Sequence, residues 1–280
     1  MNHLKSFAAV LCCVTMSAAP AAAAVIGATV ADASSGDYTL TSVSISRGGA
    51  GTFTYVPSQL TGVNLTDVAA VSLPFLAPGL NASVPAPGTR ATLLEDGRLD
   101  SGVTSPFSSA NSAFNSFEVT FLQPIVNSAG EDVVVFEVGA LESTLFYVNN
   151  DNNTADGTDR HEQTDPADFA ANLLQVNYTL FQYNNGGDQN VDDLAELESA
   201  TGFAFNSNGD GVGVSAVGLD LSDLGVAPGA TITSLRFQSI GTSRIDPVFI
   251  AGLPAVPEPS GLALLGLGGT VLLRRKRFKA

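Results

Sequence analysis

The sequence predicts an all-β protein, built as a jelly-roll-like β-sandwich ectodomain with few short helices. Short segments rich in β-branched and aromatic residues recur along the chain. Clusters of Gly, Asn, Asp and Ser separate these segments, as tight turns require. No internal repeat of fixed period is visible in the sequence, which disfavours a solenoid or a propeller.

Eight segments are predicted to form strands. Residues 117–121 alternate strictly, so Phe117, Val119 and Phe121 should face a core. Residues 132–138 are a nearly continuous apolar run, which is typical of a central strand covered on both faces. The other predicted strands are residues 38–46, 144–148, 174–181, 213–220, 231–237 and 247–250.

Turns are predicted wherever Gly and Asn cluster between the strands. The three clearest are residues 47–51, 184–188 and 206–211, which have the composition that hairpin turns need. The Ser- and Asn-rich residues 101–116 are predicted to form the longest loop, or a boundary between a loosely patterned N-terminal half and a better-patterned C-terminal half.

Two short helices are predicted. Over residues 165–171, Asp165 stands at a favourable N-cap and Pro166 at the first helical position. Residues 191–200 have acidic side chains near their start, which favour a helix N-terminus.

The first 24 residues are predicted to be a secretory signal peptide. Lys5 supplies the positive n-region, an apolar stretch follows, and an Ala-rich segment offers sites for signal peptidase. Both cysteines, Cys12 and Cys13, lie in this segment. We therefore expect a mature ectodomain, residues 25–252, that is stabilised by its core and not by disulfides.

The ectodomain is strongly acidic. Of the 27 acidic residues 26 lie between Val25 and Leu253, against six arginines and no lysine, which gives this region a net charge of −20. So negative a surface argues against binding nucleic acid or anionic lipid headgroups.

The C-terminus is divided into three predicted parts. Residues 253–260 form a Pro-rich spacer, residues 261–273 an uncharged apolar helix, and residues 274–280 a basic cytoplasmic tail. As a helix the apolar part would be about 20 Å long, which is short for the roughly 30 Å of a bilayer core. The basic residues that flank the membrane are Arg274, Arg275, Lys276 and Arg277.

This tail resembles the PEP-CTERM signal of bacterial exosortase substrates. The resemblance rests on Pro257, Glu258 and Pro259, on the short Gly- and Leu-rich run and on the terminal basic cluster. It implies that a membrane-embedded exosortase recognises the motif, cuts near it and releases the ectodomain to the cell surface or an exopolysaccharide matrix. An ordinary C-terminal membrane helix behind a Pro linker is the alternative.

Few residues of the sequence indicate catalysis, and we expect the protein not to be an enzyme. The mature chain has one histidine, His161, and neither cysteine nor lysine before the tail, which removes most catalytic triads and transition-metal sites. No Gly-x-Ser-x-Gly motif and no phosphate-binding glycine loop with lysine is present.

Calcium is the only cofactor that the sequence suggests, on two weak patterns. Asn206, Asn208 and Asp210 are spaced like the opening of a calcium loop, although the closing Glu of that loop is missing. The second pattern is an oxygen-rich segment that contains Asp151, Asp156 and Asp159. A plain turn and a solvated acidic loop are the alternatives for these two segments.

Two function classes remain. The first is a non-catalytic exported surface or matrix protein that is associated with exopolysaccharide or biofilm and is anchored in the inner membrane by its tail before release. The second is a carbohydrate-binding module, or an enzyme that acts on polysaccharide, on the same β-sandwich.

Overall fold

A computed structural model describes residues 25–47, 50–69, 75–103, 116–139, 144–148, 160–164, 169–187, 191–239 and 246–256. Within these ranges the chain forms fourteen strands and one α-helix, α1 (Leu194–Ser199). The strands are β1 (Val25–Asp32), β2 (Asp37–Ser46), β3 (Thr52–Tyr55), β4 (Val63–Ala69), β5 (Phe75–Pro78), β6 (Gly102–Val103), β7 (Ser116–Val126), β8 (Val133–Val138), β9 (Thr144–Val148), β10 (Arg160–Thr164), β11 (Ala170–Tyr183), β12 (Phe203–Leu219), β13 (Thr231–Ser239) and β14 (Pro247–Gly252).

The strands form three antiparallel sheets. The central sheet has six strands in the order β14-β8-β12-β11-β5-β6. The five-stranded sheet has the order β10-β9-β13-β7-β4, and the three-stranded sheet has the order β1-β2-β3. The central sheet is curved, so that its two edge strands approach each other where Gly102 lies against Pro247 and Val248.

The central sheet lies between the other two sheets. In β8, Val133 and Val135 belong to a buried cluster with residues of β7 and β13, whereas Val134 and Phe136 belong to a second cluster with residues of β2. Successive side chains of a strand point to opposite faces, so each face of β8 is covered by a different sheet. The prediction of a strand that is covered on both sides is therefore confirmed.

The predicted all-β sandwich is confirmed, and each of the eight predicted strands is present. In β7 the side chains of Phe117, Val119 and Phe121 are buried, as their alternation with polar residues predicts. The three-stranded sheet adds a layer that a two-sheet jelly roll does not have. Its first strand was not predicted.

The helix over residues 191–200 is confirmed as α1. Its N-cap is Asp193, whose side chain accepts a hydrogen bond of 2.8 Å from the backbone N–H of Glu196. The other helix prediction is wrong at its C-terminal end, because Ala170 and Ala171 begin β11. Residues 165–168 of that segment lie outside the described ranges.

Two of the three predicted turns are confirmed in their described parts. The Arg47 N–H donates to the Gly51 carbonyl and closes the turn between β2 and β3. Gly186 and Gly187 follow β11 with positive φ, at 65° and 104°. The turn over residues 206–211 is wrong, because this segment belongs to β12 and pairs with β11. Residues 104–115 of the predicted long loop are outside the described part.

The predicted signal peptide and the tail from Pro257 onward are also outside the described part of the chain. Within the described ranges, no helix has the length and the apolar character that crossing a bilayer requires.

Candidate functional site at the base of the C-terminal tail

The C-terminal segment leaves the ectodomain from β14, all six residues of which are buried. The end of this strand is fixed by two backbone hydrogen bonds between Gly252 and Thr61, of 2.8 and 2.9 Å. A Cβ atom at Gly252 would overlap the side chain of Ile125, so the close packing here favours glycine. The next residue, Leu253, is only 2% exposed and joins the core of the central sheet. The tail therefore starts from a rigid part of the fold.

Arg47 holds the next residues of the tail. Its guanidinium is fully buried, directly after β2. One nitrogen, Nη1, donates to the carbonyl of Pro254 at 2.5 Å and to the Tyr55 hydroxyl at 3.3 Å. The other, Nη2, donates to Ser128 Oγ at 2.7 Å and to Asp132 Oδ1 at 3.0 Å. A single buried cation thus connects the three-stranded sheet, the loop before β8 and the tail.

Asp132 provides the negative charge that a buried arginine needs. Its Oδ1 accepts hydrogen bonds from Arg47 and from the N–H and hydroxyl of Ser128, at 3.0, 3.0 and 2.8 Å. Its Oδ2 accepts from the Leu221 N–H at 3.3 Å. Its backbone carbonyl accepts from the Leu253 N–H at 2.7 Å. Asp132 therefore fixes both the arginine and the first residue of the tail.

Ser128 completes the arrangement, because its Oγ also accepts a hydrogen bond of 3.4 Å from the Val256 N–H. We call this arrangement the clasp: the side chains of Arg47, Ser128 and Asp132 together with the backbone of residues 253–256. The clasp ends one residue before Pro257.

Burial is the main influence on the ionisation of the clasp. It raises the pKa of Asp132 to about 6, while the hydrogen bonds from Ser128 and Leu221 and the charge of Arg47 act in the opposite direction. The carboxylate is therefore ionised at pH 7 and pairs with Arg47. The charges of Arg47 and Asp132 therefore cancel, and the clasp is a structural contact that holds the first residues of the tail.

The turn before β8 is shaped to fit this arginine. Gly130 has a φ of +74°, and a Cβ atom there would lie 2.9 Å from the backbone of Arg47. Both the left-handed conformation and the close approach favour glycine at this position. The loop can therefore bring Ser128 and Asp132 against the guanidinium.

The first group of predicted calcium ligands does not form a calcium loop. Asn206, Asn208 and Asp210 lie in the extended strand β12, which cannot wrap around a cation as a calcium loop does. The side-chain Oδ1 of Asn208 accepts a hydrogen bond of 3.0 Å from the Thr179 hydroxyl, and the side-chain amide of Asn206 donates to Gln182 Oε1 at 3.0 Å. The loop geometry predicted for these three residues is wrong.

In the described part of the chain, no three His, Cys, Asp or Glu side chains are grouped so that they could hold a metal ion. Asp151, Asp156 and Asp159 lie outside the described residues, so calcium binding at that segment stays a prediction. His161 is on β10, a strand of which only the backbone is described.

The sorting residues themselves are outside the described residues, and the structure shows only how the chain leads up to them. These residues are Pro257, Glu258, Pro259, Arg274, Arg275, Lys276 and Arg277.

The sequence reasoning missed the clasp. One signal was available: Arg47 is one of only six arginines in the ectodomain and directly follows a strand that is otherwise uncharged from Tyr38 onward. A lone arginine at the end of an uncharged strand needs an acidic partner if it is buried. The sequence does not show which of the 26 acidic residues of the ectodomain is that partner.

A comparison with protein families matches residues 255–277 to the PEP-CTERM protein-sorting motif. The match begins at Ala255, inside the segment that the clasp holds. No match was found among curated proteins or among solved structures.

Proposed function

We propose that this chain, which carries a PEP-CTERM sorting motif, is a non-catalytic component of the cell surface or the extracellular matrix, associated with exopolysaccharide or biofilm. The motif at residues 255–277 carries the proposal, because it indicates an exported, membrane-passing substrate of which exosortase is the sorting partner. Signal peptidase would remove residues 1–24, and the apolar residues 261–273 would anchor the precursor in the inner membrane until exosortase cuts near Pro257, Glu258 and Pro259.

The polar groups inside the ectodomain support a structural role. Arg47 pairs with Asp132 and fixes the tail. Arg236 pairs with Glu118 of the neighbouring strand β7 at 3.1 Å and with Asp67 of β4, the strand beyond β7, at 2.9 Å. These buried or half-buried charges connect distant segments of the fold, which is the role expected of them in a stable scaffold.

The charge of the ectodomain fits an extracellular location. A net charge of −20 keeps released copies apart and soluble, and it favours contact with cations over contact with anionic surfaces. Such a domain would join an anionic polysaccharide matrix through bridging cations.

A second candidate function is carbohydrate binding, or an enzyme acting on polysaccharide, and one exposed aromatic residue favours it. Phe205 on β12 is 59% exposed, and the next residue, Asn206, donates its side-chain amide to Gln182 of the paired strand β11 at 3.0 Å. An aromatic ring can pack against the C–H face of a sugar, and amides can bond its hydroxyl groups. The acidic segment with Asp151, Asp156 and Asp159 would make such binding calcium-dependent.

The sorting proposal is tested in a host that contains exosortase. Replacing Pro257, Glu258 and Pro259 by alanine should leave uncleaved precursor in the inner membrane, whereas the neighbouring control Ser260→Ala should be processed normally. Mass spectrometry of the mature C-terminus then locates the cut. Normal release of the triple variant would contradict exosortase processing at this motif.

Glycan-array binding of the ectodomain, with and without a calcium chelator, separates the two candidates. The matrix proposal expects no selective glycan signal, and Phe205→Ala should change nothing. Reproducible binding that is lost in Phe205→Ala would favour the carbohydrate-binding candidate, and turnover of a polysaccharide would favour the enzyme.

A further inference from the structure

We propose that the clasp is an autoinhibitory contact, which holds residues 254–256 against the ectodomain and delays processing until they detach. The proposal rests on the proposed function, that is, on cleavage near the motif that follows Val256.

The clasp uses backbone groups that a processing enzyme needs. Enzymes that recognise an extended peptide commonly bind its main-chain N–H and C=O groups. In the clasp the Pro254 carbonyl already accepts from Arg47, and the Val256 N–H already donates to Ser128. The Val256 N–H has one hydrogen, so it cannot donate to Ser128 and to an enzyme at the same time, and one of the two acceptor positions of the Pro254 carbonyl is already occupied by Arg47.

The clasp also shortens the reach of the motif. Four residues, 257–260, separate Val256 from the predicted membrane helix, and an extended chain spans at most about 17 Å between Val256 and residue 261. A domain of this size has a radius of gyration of about 17 Å, so its bulk would crowd that gap. Detachment of residues 254–256 lengthens the free chain by about 10 Å.

The contact can open without unfolding the ectodomain. Pro254 and Ala255 are exposed, and Val256 is bound by a single long hydrogen bond. Leu253 stays buried in the core, and the pairing of Arg47 with Asp132 does not depend on the tail. Detachment after Leu253 therefore breaks few interactions.

The test measures, by pulse-chase labelling of the full-length chain in a host with exosortase, how fast the membrane precursor disappears. Arg47→Met removes the donor to Pro254 and leaves Asp132 the donors of Ser128 and Leu221. We expect processing about tenfold faster, which corresponds to the loss of about 1.4 kcal/mol of contact. The control Arg236→Met removes another buried guanidinium, on β13, and should leave the rate unchanged.

A second variant keeps Arg47 and needs no change to the core. Inserting Gly-Ser-Gly-Ser-Ala-Val after Val256 leaves the clasp closed but places a free Ala-Val ahead of Pro257, so the matched motif stays intact. This variant should also be processed faster, and Arg47→Met should add nothing to it.

The insertion variant decides the question if Arg47→Met does not fold. Processing of the insertion variant at or below the wild-type rate would overturn the proposal. If the triple alanine variant of residues 257–259 is not processed and the insertion variant is processed at the wild-type rate, the clasp proposal is rejected and the sorting proposal stands. Normal processing of that triple variant rejects the proposed function instead.

Discussion

Replacing Asp132 by alanine should be among the most damaging single substitutions in the ectodomain. The change removes the acceptor of four hydrogen bonds and leaves the fully buried Arg47 without its charge partner. Breaking one side of a buried ion pair costs about 3–5 kcal/mol, mostly because the remaining charge stays buried. This is a large fraction of the 5–15 kcal/mol that stabilises a typical domain.

Urea unfolding of residues 25–256, followed by circular dichroism, measures this cost. With a slope of about 2–3 kcal/mol per molar urea, the midpoint should fall by about 1–2.5 M. The double variant Arg47→Met with Asp132→Leu removes both charges, so it should recover most of the loss. A loss below about 1 kcal/mol in Asp132→Ala, or a double variant that is no better than the single one, would refute the account of the clasp as a buried ion pair.

Three further predictions concern the stability of the ectodomain. Gly252→Ala should cost about 1–3 kcal/mol, because the new Cβ overlaps Ile125, whereas Gly27→Ala, with open space around it, should stay within about 0.5 kcal/mol in the same urea assay. Arg90→Met should cost about 2–4 kcal/mol, seen as a lower thermal midpoint, because the buried Arg90 donates to carbonyl oxygens at the end of α1; a midpoint within error of wild type would contradict this role. Stability should also fall as the pH rises from about 4 to 6. Burial raises the pKa of five described carboxyl groups above their unfolded values, so the folded state binds more protons in that range; melting curves that improve steadily from pH 4 to pH 6 would refute this. Two of these groups have a pKa of about 6, Asp96 and Asp132, and the others are Asp100, Glu131 and Asp223.

The strands that the sequence predicted best are those whose burial leaves a local pattern. From Phe117 to Phe121, strand β7 buries every second residue. Strand β8 buries all six of its residues, because a different sheet covers each of its faces. Both arrangements can be recognised within a few residues of sequence. An alternating run of apolar residues indicates a strand with one covered face, and a continuous run indicates a strand with two. The continuous run of β8 therefore predicted that this strand lies inside the fold.

The turn predicted over residues 206–211 failed because pairing across a sheet overrides local preference. Asn208 stands opposite Thr179 of β11, and the ladder between the two strands continues to Tyr183 and Phe203. Gly211 fits the strand through a positive φ of 61°, at a point where a residue with a side chain would be strained. Asn and Gly are therefore compatible with this exposed part of a long strand.

The clasp could not be predicted because its members are far apart in the chain. Arg47 meets Asp132 across 85 residues and Pro254 across 207 residues. No periodicity connects such positions, and one arginine among many acids does not identify its partner. Motif reading found the sorting signal, whereas only the fold shows what the signal is attached to.

The sorting signal and the folded ectodomain share residues, so the tail is not a separate segment that merely follows the domain. The sequence separates a folded ectodomain, ending at residue 252, from a spacer that starts at residue 253. In the structure Leu253 belongs to the core, Pro254 is hydrogen-bonded to Arg47, and Val256 is hydrogen-bonded to Ser128. The motif match begins at Ala255, so an enzyme that reads the motif from its first residue meets a segment that the ectodomain already holds. The tail is therefore not an independent module, and under the proposal of an autoinhibitory clasp its processing would depend on the domain that precedes it.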